Sequence, residues 1–210
     1  MTFPTEGFSK EEKEEIKKFL QDCKDAELIK FSNPELQNIF QRSQQNAEID
    51  SLAQHALLRV NNVREKMKLD EKEKFIPQNE FRALQIISSV SQLQTNTEEL
   101  KIFLKAIMDP EKINQDVSML GAYVKLIYDK LDYSREQRNR MNELLNVELR
   151  NALNHNDYEL RLDGFSFTKK NGETKNLSVE GLLNLMIKNS EIHEIINDLV
   201  NQLKKEQGLT

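Results

Sequence analysis

The stretch INQDVSMLGAYVKLIYDKL, residues 113–131, sets the reading of the fold. Its apolar residues Ile113, Val117, Leu120, Val124, Ile127 and Leu131 recur at steps of three and four, the spacing that gathers side chains on one face of an α-helix. The spacing predicts a helix over 113–131 with that stripe in the core. Working outward, the same period returns on both sides. Ser134 and Gln137 form a capping box for the next helix, which turns Met141, Leu145, Leu149 and Ala152 inward and leaves Arg138 and Glu143 exposed. Upstream, Asp109 before Pro110 stops a helix carrying Leu100, Phe103, Leu104 and Ile107, with Thr95 and Glu98 as its capping box. A separate helix from Gln78, with Leu84, Ile87 and Val90 on its apolar face, precedes that one.

Nearer the N-terminus, Ser9 and Glu12 cap a helix with Ile16, Phe19, Leu20 and Cys23 as its stripe, ending near Phe31. Asn33 and Pro34 open another, with Leu36, Ile39 and Phe40 and then Leu52, Ala56, Val60, Val63 and Met67 inward; it runs to about Leu69 or breaks near Asn46. The charged run Lys68 to Lys74 and Pro77 mark a connection. C-terminal to the quoted stretch the period changes to two. Tyr158, Leu160 and Leu162 alternate, as do Phe165 and Phe167, and Asp163-Gly164 supplies a hairpin turn. Asn171-Gly172 offers a second turn, which would extend the hairpin to three strands. Ser178 then caps a short helix with Leu182, Leu183 and Met186, and Ser190 begins a last one with Ile192, Ile195, Ile196, Leu199 and Leu203.

Composition agrees with this. Hydrophobic residues make up 38% and charged residues 31% of 210, with only six glycines and four prolines, a balance that favours long helices. The expected fold is an all-α multi-helix bundle with a small β-hairpin, at about 158–177, inserted before the C-terminal helices. Residues 1–95 form an N-terminal helical region packed on the rest, and 96–210 a second helical domain. Cys23 is the single cysteine, so no internal disulfide can form, and its place on an apolar face makes it a buried packing residue. No run of 18 apolar residues and no signal-type leader is present, which points to a soluble, cytoplasmic protein without a membrane span. A net charge of −5 argues against a surface that coats nucleic acid without discrimination, while leaving room for a small basic site.

The residues that look chemical are Arg150, Asn151 and His155. An arginine can grip a phosphate with two parallel N–H bonds, and a histidine, with an ordinary pKa of roughly 6.5, transfers protons near neutrality. Such a pair is what cleavage of an RNA backbone without metal requires. Arg138 upstream and Lys169, Lys170 and Lys175 in the hairpin are candidate substrate-binding cations, and the hairpin is expected to be a substrate element outside the core. His55 and His193 have no companion ligand at metal spacing and read as surface or rim histidines; no metal or cofactor is expected. Nothing supports a phosphate-binding glycine loop, a nucleophile elbow or a zinc-protease motif.

Arg150, Asn151 and His155 match, one for one, the arginine, polar residue and histidine of the HEPN motif, and the last half of the chain resembles that family of small all-α domains, common in prokaryotic toxins and antiviral defence proteins. Asp157 stands where many family toxins carry a tyrosine, and Tyr158 comes one later. The resemblance implies a metal-independent endoribonuclease acting as a homodimer: His155 takes the ribose 2′-hydroxyl proton, Arg150 steadies the phosphate, and Asn151 orients one or the other. It also implies RNA as substrate and an antitoxin or defence-system protein as partner. The alternative is a non-catalytic helical module that binds a nucleotide or a protein.

Overall fold

Ser9 starts the first helix by exchanging two hydrogen bonds with Glu12: the Glu12 N–H donates to Ser9 Oγ (3.1 Å) and the Ser9 N–H to the Glu12 carboxylate (2.9 Å). The computed structural model describes residues 6–30 and 78–206, apart from 156, 162 and 170. The helix expected from Asn33 to about Leu69, His55 and Lys170 lie outside the described residues. In chain order the elements are α1 (Lys10–Asp25), α2 (Gln78–Ile107), α3 (Leu120–Lys130), α4 (Arg135–Leu144), α5 (Val147–His155), β1 (Tyr158–Arg161), β2 (Gly164–Thr168), β3 (Thr174–Ser178) and α6 (Val179–Glu206). The described chain is thus mostly helical, with one small antiparallel sheet, ordered β1-β2-β3, before a single C-terminal helix.

Several expected boundaries move, each for a local reason. α1 ends at Asp25 rather than near Phe31, because Glu27 adopts a left-handed φ of 55° that turns Leu28 into the core. Ile29 then forms an isolated bridge with Met108, tying the ends of α1 and α2 together. The two helices expected over 78–107 are one: the Thr95 hydroxyl bonds the Ser91 carbonyl one turn back (3.2 Å) instead of capping a new start. Leu84 and Ile87, expected inside, are 50% and 54% exposed. The same backward bond, Ser190 Oγ to the Met186 carbonyl (3.2 Å), accounts for the one continuous α6 where two helices were expected, while Ser178 does cap its first turn through the Gly181 N–H. The helix expected over 113–131 begins only at Leu120; Ile113 is nevertheless buried, in the turn that follows Pro110. Asn146, at φ 51°, breaks the one helix expected to follow Ser134 and to carry Met141, Leu145, Leu149 and Ala152 into α4 and α5. The boundary expected near residue 95 falls inside α2.

In the sheet, Arg161 pairs with Gly164, so Gly164 opens β2 rather than forming the turn expected at Asp163-Gly164. Glycine is needed at 164 because a Cβ there would sit 2.0 Å from the Leu177 carbonyl oxygen. Gly172, at φ 85°, makes the second turn, closed by the Lys169 N–H to the Glu173 carbonyl (2.8 Å).

Apolar side chains gather in two clusters. One joins α1, the C-terminal halves of α2 and α6, α3 and α4. The other joins the N-terminal halves of α2 and α6 with α5 and β2, whose Phe165 and Phe167 are buried in it. The sheet is therefore part of the core through one face, not an appendage. Along α2 the clusters separate between Leu93 and Leu100, and along α6 between Met186 and Ile192. Polar residues occupy that seam: Asn189, Arg150, Glu98 paired with Lys101, and His193 facing Glu99 at 3.9 Å. His193, expected at the surface or its rim, is largely enclosed, its ring edge-on to Phe103 at 5.0 Å.

Candidate functional site

α5 carries the motif, and helix geometry divides it. At about 100° per residue, Asn151 and His155 point within about 40° of each other, whereas Arg150 and His155 diverge by about 140°. Leu149 and Leu153 are buried on the Arg150 side. The chain leaves α5 through a wide turn in which the Asp157 N–H donates to the Ala152 carbonyl (2.9 Å), so His155 sits in the last turn, exposed. Asn151 lies against α3 at Gly121, where a Cβ would come within 3.4 Å of its amide nitrogen.

His155 and Asn151 line a cleft of about 870 Å³ together with Glu148, Asp157, Tyr158 and Met119. Its floor comes from the sheet. Strand alternation puts Leu160, Phe165 and Leu177, which pair across the strands, on one face of the sheet; Phe165 and Leu177 pack in the apolar cluster, while Leu160 on the edge strand β1 stays 47% exposed. The intervening Glu159, Arg161, Ser166, Thr168, Thr174 and Asn176 line the cleft, and Lys169 stands at its edge. Two cations and three carboxylates therefore border it. Arg161 lies 3.9 Å from Asp163, and the Lys169 ammonium donates to Glu173 at 3.0 Å, which raises its pKa and lowers that of Glu173.

Arg150 is not among the cleft residues. It is 1% exposed, and its guanidinium donates to the Asn189 side-chain oxygen on α6 at 3.3 Å. Burial pushes its pKa down to about 9, with the Glu98 charge acting the other way. Of the three motif residues, Asn151 and His155 thus border one cleft, and Arg150 works inside the molecule, pinning α5 to α6.

Of the other candidate cations, Lys169 lines the cleft; Lys175 lines a neighbouring groove instead. Arg138 is elsewhere, donating to the Tyr133 carbonyl at 2.7 Å and paired with Asp129. The sequence reading missed Arg161 and the hydroxyl and amide residues of the cleft floor. Their signal was present, since the positions between the apolar alternants of a strand must share its other face. Glu148, three before Asn151 and seven before His155, shares their helix face by the same period; for Met119 no sequence signal existed.

Among the described residues no helix is long and apolar enough to cross a membrane, and no group of three or more His, Cys, Asp or Glu side chains is arranged to hold a metal ion. Fold and site together define a helical protein with an inserted three-stranded sheet, whose polar face and the end of α5 enclose an open cleft. No protein-family model, curated protein or solved structure matches the chain.

Proposed function

We propose that the protein is a metal-independent endoribonuclease of the HEPN type, a cytoplasmic helical bundle acting as a homodimer on single-stranded RNA bound in the His155 cleft. The observation that carries this reading is the convergence of exposed His155 with Asn151 and Tyr158 on one cleft floored by hydroxyl and amide side chains and edged by Arg161 and Lys169. In the reaction, neutral His155 removes the 2′-hydroxyl proton, and the 2′-oxygen attacks the adjacent phosphorus. The P–O5′ bond breaks as a 2′,3′-cyclic phosphate forms, and the leaving 5′-oxygen takes a proton from the second subunit's histidine. Arg161 and Lys169 take the phosphate-binding part that the motif gives to its arginine. Arg150 holds the helix on which Asn151 and His155 stand. DNA, lacking the attacking hydroxyl, resists cleavage. An antitoxin or defence-system protein is the expected partner.

The test is cleavage of single-stranded RNA, with EDTA present, by the wild type and by His155→Ala. The variant should retain the fold and lose about two to four orders of magnitude in rate. Equal rates in the two proteins, or strict dependence on added divalent metal, would sink the mechanism.

A second reading, a non-catalytic binding module, is favoured by the enclosure of Arg150 and by Glu148, Asp157 and Glu159 outnumbering the cleft cations. It predicts a ligand that binds wild type and His155→Ala alike, with no turnover.

A further inference from the structure

A second groove, of about 510 Å³, runs between α4, the turn at Asn146, the β2–β3 hairpin and α6. It shares Glu148, Phe167 and Lys169 with the His155 cleft, so the two adjoin at the hairpin. Its walls are rich in carboxamides: Asn139 and Asn142 from α4, Asn146 from the turn and Asn171 from the hairpin. The Tyr128 hydroxyl donates to the Asn142 side-chain oxygen (3.2 Å), which holds that carboxamide in place.

The charges of this groove are arranged unevenly. On the helical side Glu12, Glu143 and Glu148 outnumber Arg140 and Lys188: Glu143 lies 3.8 Å and Glu12 4.0 Å from Arg140, and Glu12 also lies 3.6 Å from Lys188. On the hairpin side Lys175, exposed and without an ion pair among the described residues, stands near Lys169. A ligand suited to both walls has regularly spaced negative charge on one side and hydrogen-bonding edges on the other. A side-chain carboxamide offers two donors and an acceptor in one plane, which matches the edge of a splayed-out base and pairs best with the N6/N7 edge of adenine.

We propose that this groove binds the nucleotides flanking the cleavage point of the same single-stranded RNA, phosphates along Lys169 and Lys175 and bases against the asparagine wall, with adenine preferred. The inference rests on the RNA reading of the His155 cleft. It makes the protein an enzyme whose affinity is built largely outside the reacting centre, and it gives the hairpin lysines a positioning role.

The experiment measures binding of labelled oligoribonucleotides to the full chain carrying His155→Ala, and cleavage by the chain with His155 intact. The groove variant is Asn139→Ala with Lys175→Gln. An oligoadenylate of about eight nucleotides should bind the groove variant about tenfold more weakly and with a shallower salt dependence, while cleavage of a dinucleotide is unchanged. Oligouridylate of the same length should bind more weakly than oligoadenylate. Cleavage that gains nothing from added length, or an oligoadenylate affinity indifferent to the groove variant, overturns this inference and leaves the cleft reading standing. Length-dependent, groove-dependent binding without cleavage by the wild type overturns the catalytic reading and leaves the groove. Displacement of the oligoadenylate by polyglutamate at equal charge would overturn the groove as an RNA site in favour of an acidic-peptide site.

Discussion

Arg150→Ala separates a structural arginine from a phosphate-binding one. In the structure the side chain fills space between two apolar clusters and donates to the Asn189 oxygen at 3.3 Å, with 1% of its surface exposed. Truncation leaves a cavity in a packed interior, costing about 2–5 kcal/mol. It also strips a donor from the buried Asn189 carboxamide, costing about 1–3 kcal/mol. Relief of a desolvated charge offsets part of this, so the net loss should be about 3–5 kcal/mol. For a chain of this size each kcal/mol moves the melting temperature by about 2–4 °C, which gives a fall of about 10 °C in a circular-dichroism melt. Arg150→Met, which keeps most of the volume, should lose less, and Arg150→Met with Asn189→Leu should recover part of that loss as the two clusters merge. Measured well below its melting temperature, Arg150→Ala should keep RNA cleavage within about tenfold of wild type, because no atom of Arg150 lines the cleft. A variant that melts with the wild type yet loses cleavage a hundredfold or more would refute this placement and return Arg150 to the substrate.

Two further outcomes test the fold itself. Burial pushes the Tyr123 phenol up to about 12, and Tyr128 and Tyr133 are raised too, by burial first and at Tyr133 also by the hydroxyl's bond to Asp22. In the unfolded chain these phenols ionise near pH 10, so the folded state holds the extra protons; their contribution is complete below about pH 10 and is lost as pH rises towards 12. Denaturant midpoints should fall across that window, and phenolate absorbance that develops fully near pH 10 in a still-folded protein would contradict the burial. Gly164→Ala should separate β2 from β3, since its Cβ would meet the Leu177 carbonyl oxygen at 2.0 Å; the loss should exceed about 1 kcal/mol and appear as lost hydrogen-exchange protection in both strands. Unchanged protection would mean the hairpin register differs.

What was legible in the sequence was what local chemistry decides. The reciprocal bonds of Ser9 with Glu12 and Ser134 with Gln137 join residues three apart, and both capping boxes form. Thr95, three before Glu98, offers the same box, and Ser190 a helix start without one, yet each bonds backward into a helix that continues. Nothing within three residues of Thr95 distinguishes it from Ser9. The difference is made by α2 and α6 packing on one another across the whole molecule, which rewards an unbroken helix over a cap of about 1 kcal/mol. Ile113 was rightly placed in the core and wrongly placed in a helix, because burial follows from being apolar whereas the helical period can be matched by a turn that returns the side chain to the same cluster.

The candidate site shows the same division within six residues. Asn151 and His155, four apart, had to share a face once α5 formed, and they do meet one cleft. Arg150 had to point elsewhere, and the only question was whether that direction held solvent or protein. Leu149 and Leu153 answer it, since an amphipathic helix buries the side on which its large apolar residues lie, and Arg150 lies on that side. A motif read as a string treats its arginine and histidine as partners; read as a helix, it assigns the arginine to holding the scaffold and the histidine to the open side. The cations that face the cleft had to come from another element, and the strand alternation that buries Phe165 and Phe167 on one face of the sheet delivers Arg161, on the paired strand, to the other. That is why the chemistry of the cleft, if it acts on phosphate, depends on the sheet as much as on the helix that carries the motif.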